Sequence, residues 1–186
     1  MKNISLLLLF LLLSGAVGQE LIGNGDFENG TDSWIQEQSS SGGTYSITCD
    51  TSYQPDSDYE VRIYKTMAAY ARLRQTVELP GTNVRFLASV KAAVSTGTKN
   101  RMAYAGVVLE YRNSSNTLLG KTMVIKKTGS GAPQSGPTQH VIDVTSDDWE
   151  DHGFILADEL ENLTGVNPDS IARVNLYVQA YGNGST

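Results

Sequence analysis

The chain has 186 residues, a formal net charge of −6, 18 glycines and a single cysteine, Cys49. An acidic chain with no basic run repels phosphate backbones, which sets nucleic acid aside as a partner. One cysteine leaves no intrachain disulfide, so the fold must stand on its core, with Cys49 itself read as a buried, small apolar residue.

In chain order, Lys2, the unbroken apolar run over 6–13 and the small residues Ala16-Val17-Gly18 read as a secretion signal with cleavage after Gly18. The run is too short for a bilayer span, which needs about 20 apolar residues. The expectation is a chain that is secreted or held at the cell surface, with no membrane span after cleavage. Residues 19–186 then form one domain of 168 residues with a formal charge of −7. A domain of that size buries roughly 70% of its unfolded surface.

Leu21-Ile22-Gly23-Asn24-Gly25-Asp26-Phe27-Glu28-Asn29-Gly30, with Trp34 beyond it, mixes apolar residues with turn formers. It predicts an opening strand, a tight turn and an aromatic anchor. Weaker strands follow over 44–49 and 60–65. Over 71–79, Ala71, Leu73, Val77 and Leu79 oppose Arg72, Arg74 and Glu78. Over 84–94, Val84, Phe86, Ala88, Val90, Ala92 and Val94 share one side, and over 103–111 Ala103, Ala105, Val107, Leu109 and Tyr111 do so. Further strands read over 118–126 and 139–145, separated by a long loop over 129–137. Phe154, Leu156, Ala157, Leu160 and Leu163 have helical spacing and end at Thr164-Gly165 and Pro168, which predicts a short crossover helix. The last strand, 172–180, turns Ala172, Val174, Leu176, Val178 and Ala180 inward. One-sided alternation of this kind indicates antiparallel sheets with one buried face. The fold class is an all-β antiparallel sandwich.

The other side of the last strand carries Arg173, Asn175, Tyr177, Gln179 and Tyr181, about 7 Å apart along one face. Rings that stack on C–H surfaces and amides that bond hydroxyls suit carbohydrate. Tyr104, Glu110 and Arg112 of the 102–112 strand, and Tyr70, Arg72 and Arg74 on the outward side of 70–78, extend the same face. The candidate ligand-binding residues are Asn175, Tyr177, Gln179, Tyr181, Tyr104 and Arg112. The plain alternative is a solvated exterior, because tyrosine favours strands and amides are merely soluble. Nine tyrosines against four phenylalanines fit a surface that meets something polar. Trp34 and Trp149 read as buried anchors at strand ends.

Catalytic signals are weak. Asp147-Asp148-Trp149-Glu150-Asp151-His152 is the densest ionisable cluster, and consecutive acids on a turn are ordinarily just solvated. No nucleophile elbow, zinc-protease motif or phosphate loop is present. The chain reads as a non-enzyme.

The opening Asn-Gly-Asp-Phe-Glu of residues 24–28, Gly30 and Trp34 resemble the start of the jelly-roll carbohydrate-binding modules attached to secreted xylanases and glucanases. The resemblance implies a galactose-binding-domain-like jelly roll and a structural Ca2+ ligated by Glu28, with Asp50 and Asp26 as further oxygen donors. It departs from these modules at the end, where Gly182-Asn183-Gly184-Ser185-Thr186 stands in place of an acidic closing strand. The leading expectation is a secreted, non-catalytic module that binds a polysaccharide or glycan, in isolation or within a larger multidomain protein. The alternative is an extracellular structural or adhesion sandwich that mediates protein contacts. A hydrolase using the 147–152 acids is a third and weaker reading.

Overall fold

The computed structural model describes residues 6–9, 20–39, 43–51, 58–66, 68–96 and 101–183. The cleavage residues 16–18 and the final residues 184–186 lie outside the described residues. The strands are β1 (Leu6–Leu9), β2 (Ile35–Gln38), β3 (Tyr45–Asp50), β4 (Glu60–Lys65), β5 (Ala69–Glu78), β6 (Arg85–Val90), β7 (Met102–Arg112), β8 (Leu118–Gly129), β9 (Gln139–Asp143), β10 (Glu150–Ile155) and β11 (Arg173–Gly182). One short helix, α1 (Leu156–Leu160), joins β10 to the return toward β11.

The result is an all-β sandwich. A six-stranded sheet in the order β2-β5-β11-β7-β8-β9 carries most of the molecule. The three-stranded sheet β1-β6-β10 and the two-stranded sheet β3-β4 complete the set. Alternation explains the layering. From the large sheet, Leu73, Val107, Leu109, Tyr111, Leu176 and Val178 join the main core. Phe86 and Val90 of β6, Val61 of β4, and Leu156, Leu160 and Leu163 in and after α1 complete it. Phe154 of β10 lies 5.0 Å from Phe86 by ring centroid. Fully burying an apolar side chain of this size contributes about 1.5–3 kcal/mol, so the inward residues of these strands are what select the fold.

In the large sheet Val174 faces Val77 on one side and Tyr111 on the other, and three rows on, Ala180 faces Ala71 and Ala105. The inward side chains therefore shrink from Val and Tyr at one end of the sheet to a row of alanines at the other.

Four features differ from the sequence reading. The 21–34 block is a series of turns and not a strand, with positive φ at Asn24 (51°), Phe27 (56°) and Ser33 (68°). Its order comes from side chains. The Asn24 amide donates to the Gly30 and Asp32 carbonyls, Asn24 Oδ1 accepts from the Asn29 N–H, and the Trp34 indole donates to the Asn24 carbonyl. Gln75 of β5 then clamps the block, donating to the Gly23 and Ser33 carbonyls and accepting from the Gly23 N–H. Trp34 is buried and stacks on Phe27 at 5.4 Å, as an anchor should.

Second, the helical stretch is shorter than its spacing implied. Phe154 and Ile155 belong to β10, which pairs with β6 from Glu150 to Ile155. Third, β9 runs parallel to β8. Lys121 of β8 pairs with Gln139, so the chain must travel back from Gly129 to the level of Lys121, about 26 Å at the usual strand rise. The connection has nine residues, 130–138, and its ten Cα steps reach about 33–36 Å at most. Turns closed by Ala132 N–H to the Gly129 carbonyl and Gln139 N–H to the Gly136 carbonyl use part of that reach. This loop has little slack. Fourth, Leu6–Leu9, inside the run read as a secretion signal, lies antiparallel along β6, from Ala88 to Arg85.

A buried polar chain fixes α1 to the sheet. Tyr111 Oη donates to Thr122 Oγ1 (2.8 Å), Thr122 Oγ1 donates to Glu159 Oε1 (2.7 Å), and His140 Nδ1 lies 2.6 Å from the same oxygen. Asn162 donates to Glu159 Oε2. Burying a carboxylate is costly unless it is hydrogen-bonded, and Glu159 is bonded on both oxygens.

Candidate functional site

The side of the large sheet away from the main core presents one continuous set of polar and aromatic side chains. Register places Tyr70, Tyr181 and Tyr104 in a single row across β5, β11 and β7. Tyr104 and Tyr181 stack with centroids 5.0 Å apart and planes 21° from parallel. The next row brings in Arg72, whose guanidinium carbon lies 4.2 Å from the Tyr70 ring centroid and 4.3 Å from that of Tyr177. A cation over two ring faces is held by both quadrupoles and fixes their separation.

Ion pairs lock this face. Glu37 of β2 receives Arg72 at 2.7 Å and Arg74 at 2.9 Å. Burial pushes the Glu37 carboxyl up, but hydrogen bonds from Arg74 and Arg72 outweigh it and hold the group below the ordinary carboxylate range. Glu110 receives Arg112 at 2.7 Å and the Tyr177 hydroxyl at 3.1 Å. Gln179 donates to Tyr104 Oη at 3.2 Å, and Asn175 Oδ1 accepts from the Thr76 hydroxyl at 2.8 Å.

The six ligand candidates, Asn175, Tyr177, Gln179, Tyr181, Tyr104 and Arg112, therefore do share one face. Their exposure is not uniform. Asn175, Tyr177 and Gln179 are only 7%, 5% and 7% exposed. Tyr177 packs with Val108, Met123 and Ile125 in a second apolar cluster on this side of the sheet. Period-two reading gives the side of a residue but not its exposure, and here the long neighbours Arg72, Tyr104 and Glu110 close over the central strand. Asn175, Tyr177 and Gln179 are the frame of the face, while half-buried Tyr70, Arg72, Tyr104 and Tyr181 form its accessible rim. Between them lies a recess of about 120 Å3, lined also by Glu110 and by Lys121 of β8. Lys121 was not among the sequence candidates. Its signal was its place one strand beyond Glu110, directly opposite it in register.

The calcium candidates sit elsewhere. Glu28 and Asp26 are exposed on the opening turns, and Asp26 Oδ1 accepts the Glu28 N–H at 3.3 Å, the turn-capping role open to that residue. Asp50 is exposed at the end of β3, paired in register with Glu60. Among the described residues no three His, Cys, Asp or Glu side chains come together. Cys49 is half-buried against the main core, and burial pushes its thiol up.

The 147–152 cluster is engaged locally. Asp147 meets Lys126 at 2.5 Å and Asp148 meets Lys91 at 3.5 Å. Glu150 accepts from the Thr145 and Ser146 N–H groups, and Asp151 accepts from the Ser89 hydroxyl. These acids fasten the turn into β10.

A larger cavity of about 460 Å3 opens at the alanine-rich end of the sandwich, between β4 and the sheet. Val61, Ile63, Ala92, Ala105, Ala180 and the half-buried Trp149 line it, and fully buried Glu60 reaches it as well. Gly106 contributes to its floor at φ 145°, where a Cβ would stand 2.2 Å from the Val124 carbonyl oxygen, so no other residue fits there. Sequence reading missed this cavity. The available signal was the alignment of Ala71, Ala180 and Ala105 on neighbouring strands.

Fold and face together define an all-β sandwich with a tyrosine- and arginine-lined sheet surface. Comparison with protein-family models and with curated proteins returns no match to this chain. Among the described residues, no helix is long and apolar enough to cross a membrane.

Proposed function

We propose that this chain is a secreted, non-catalytic carbohydrate-binding module that uses the outer face of its six-stranded sheet. The observation that carries the reading is the row Tyr70–Tyr181–Tyr104 standing in register beside Arg72 around a shallow recess. Small-molecule pockets usually measure about 300–1,000 Å3. A recess of about 120 Å3 accepts only part of a ligand and leaves the rest along the sheet. That suits a chain of sugars better than an enclosed metabolite. Planar rings give the stacking surface, and the amide, hydroxyl and guanidinium groups around them bond hydroxyls. The opening-block resemblance supports the same class. A structural Ca2+ held by Glu28, with Asp26 and Asp50 as further donors, would brace the opening turns and touch no sugar.

The test is retention of the purified protein on a panel of soluble polysaccharides by affinity electrophoresis. Tyr181→Ala should lower affinity about tenfold or more, while stability falls by the stacking contribution of about 0.5–1.5 kcal/mol and by the partial burial of the ring. A folded, monodisperse protein that binds no glycan overturns the reading. The alternative of an extracellular protein-contact module would then take its place, with the exposed tyrosines of the β3-β4 region, Tyr45, Tyr59 and Tyr64, as candidate contacts.

A further inference from the structure

We infer that the polysaccharide taken by this face is an anionic one, recognised through Lys121 and the Arg72–Arg74 pair; the inference rests on the carbohydrate reading above. The chain as a whole is acidic. The outer face of the large sheet is not, for register puts Arg72, Arg74, Arg112, Arg173, Lys121 and Lys127 on it against Glu37, Glu78, Glu110 and Asp143.

Most of these charges neutralise one another in pairs. Arg112 is matched by Glu110, Lys127 by Asp143 at 2.9 Å and Arg173 by Glu78 at 3.1 Å. Two imbalances remain. Arg72 and Arg74 share the single carboxylate of Glu37. Lys121, half-buried in the wall of the recess, makes no ion pair among the described residues, because the facing Glu110 is already bound by Arg112 and Tyr177. Both surplus positive charges lie at the same tyrosine-lined recess, and among the described residues no other cation of this face lacks its own carboxylate.

Their positions say what kind of anion suits them. Arg72 is on β5 and Lys121 on β8, three strand spacings apart, and Arg72 is level with Ile125, four residues along β8 from Lys121; their backbones are therefore offset by about 14 Å across the sheet and about 13 Å along it, about 20 Å in all. A polymer with an acid group repeated along it can meet both while its ring faces lie on Tyr104 and Tyr181. Guanidinium and ammonium groups both take carboxylate or sulfate oxygens, so uronate and sulfated glycans are the two sources of the same chemistry. The surplus charges are half-buried, where salt screens them less than on an open surface.

The experiment measures binding of the intact protein to polygalacturonate, to the same polymer after carboxyl reduction, to dextran sulfate and to single-stranded oligo-dT. Expected is about tenfold tighter binding to an acidic glycan than to the neutral, reduced polymer. Lys121→Met should remove most of that preference and Lys121→Arg should keep it, with unchanged unfolding curves for both. Retention on dextran sulfate but not polygalacturonate assigns the acid group as sulfate and supports the inference. Equal binding to the reduced polymer overturns it and leaves the carbohydrate reading standing. Oligo-dT binding as tight as that to either acidic glycan also overturns it, because the face would then be a general polyanion surface. Binding to no polymer at all removes the carbohydrate reading itself.

Discussion

Tyr104 shows how much a single ring on this face is asked to do. It stacks on Tyr181, accepts from Gln179 and stands at the recess, and burial pushes its phenol up to about 12. Below about pH 10 the phenol is neutral in both folded and unfolded chains, and the fold is at full strength. As pH rises through about 12 the unfolded chain ionises first, and the stability tied to the neutral phenol is lost. Urea unfolding across this window should show a steep decline, and Tyr104→Phe should make it shallower. Parallel declines in the two proteins would mean that the Tyr104 phenol is not the titrating group. Tyr177 and Tyr111 are also raised by burial and add to the decline with the same sign. Tyr177 also marks where residue-level reading stopped. Its side of the strand followed from Val174, Leu176 and Val178 alternating with it, but its burial depends on Val108 on the neighbouring strand and Met123 two strands away. Tyr177→Ala is therefore a packing change of about 3–5 kcal/mol and not a clean probe of binding.

Among the elements, the long strands were legible because each has one apolar side and one polar side over many residues. β5, β7 and β11 stand where Leu73, Leu109 and Leu176 required them. β2 and β10 were not legible. β10 is Glu-Asp-His-Gly-Phe-Ile, and its pattern looks like a charged turn followed by a helix start. Pairing with β6 overrides that local preference, as tertiary context commonly does for strands. The parallel sense of β9 was likewise invisible, since periodicity carries no strand direction. β6 yields a prediction of its own. It has β10 on one edge and Leu6–Leu9 on the other. In a protein beginning at Gln19 the second edge loses that partner, and an unpaired edge is a template for another strand. Hydrogen exchange at the outward-facing amides of Arg85–Ala88 should be faster in the 19–186 protein than in the full chain. Equal exchange would show that β1 contributes nothing to that edge.

At the scale of the whole molecule, two ends of one sandwich are built differently. One is filled by Val77, Val174 and Tyr111 and closed by α1 through the Glu159 network; the other tapers to alanines and holds the larger cavity. The all-β class and the shared face of the six ligand candidates could be read from alternation alone. The cavity could not, because an inward alanine looks the same whether its neighbours close over it or stand away. Nor could the geometry of residues 130–138, whose glycines and prolines read as an ordinary long loop. Its small surplus of length between β8 and β9, part of it used in turns, gives an asymmetric tolerance to changes in length. Inserting Gly-Ser after Gln134 should leave the unfolding midpoint unchanged, whereas deleting two residues from 133–135 should pull His140 and β9 from their places and cost more than about 2 kcal/mol. Equal effects from the two changes would show that the return has spare length. Carried over generations, the same constraint acts as a ratchet. Descendants of this gene can accumulate residues between β8 and β9, but each one lost takes about 3.3–3.6 Å from a surplus of only about 7–10 Å, so more than two cannot go without also giving up the outermost strand.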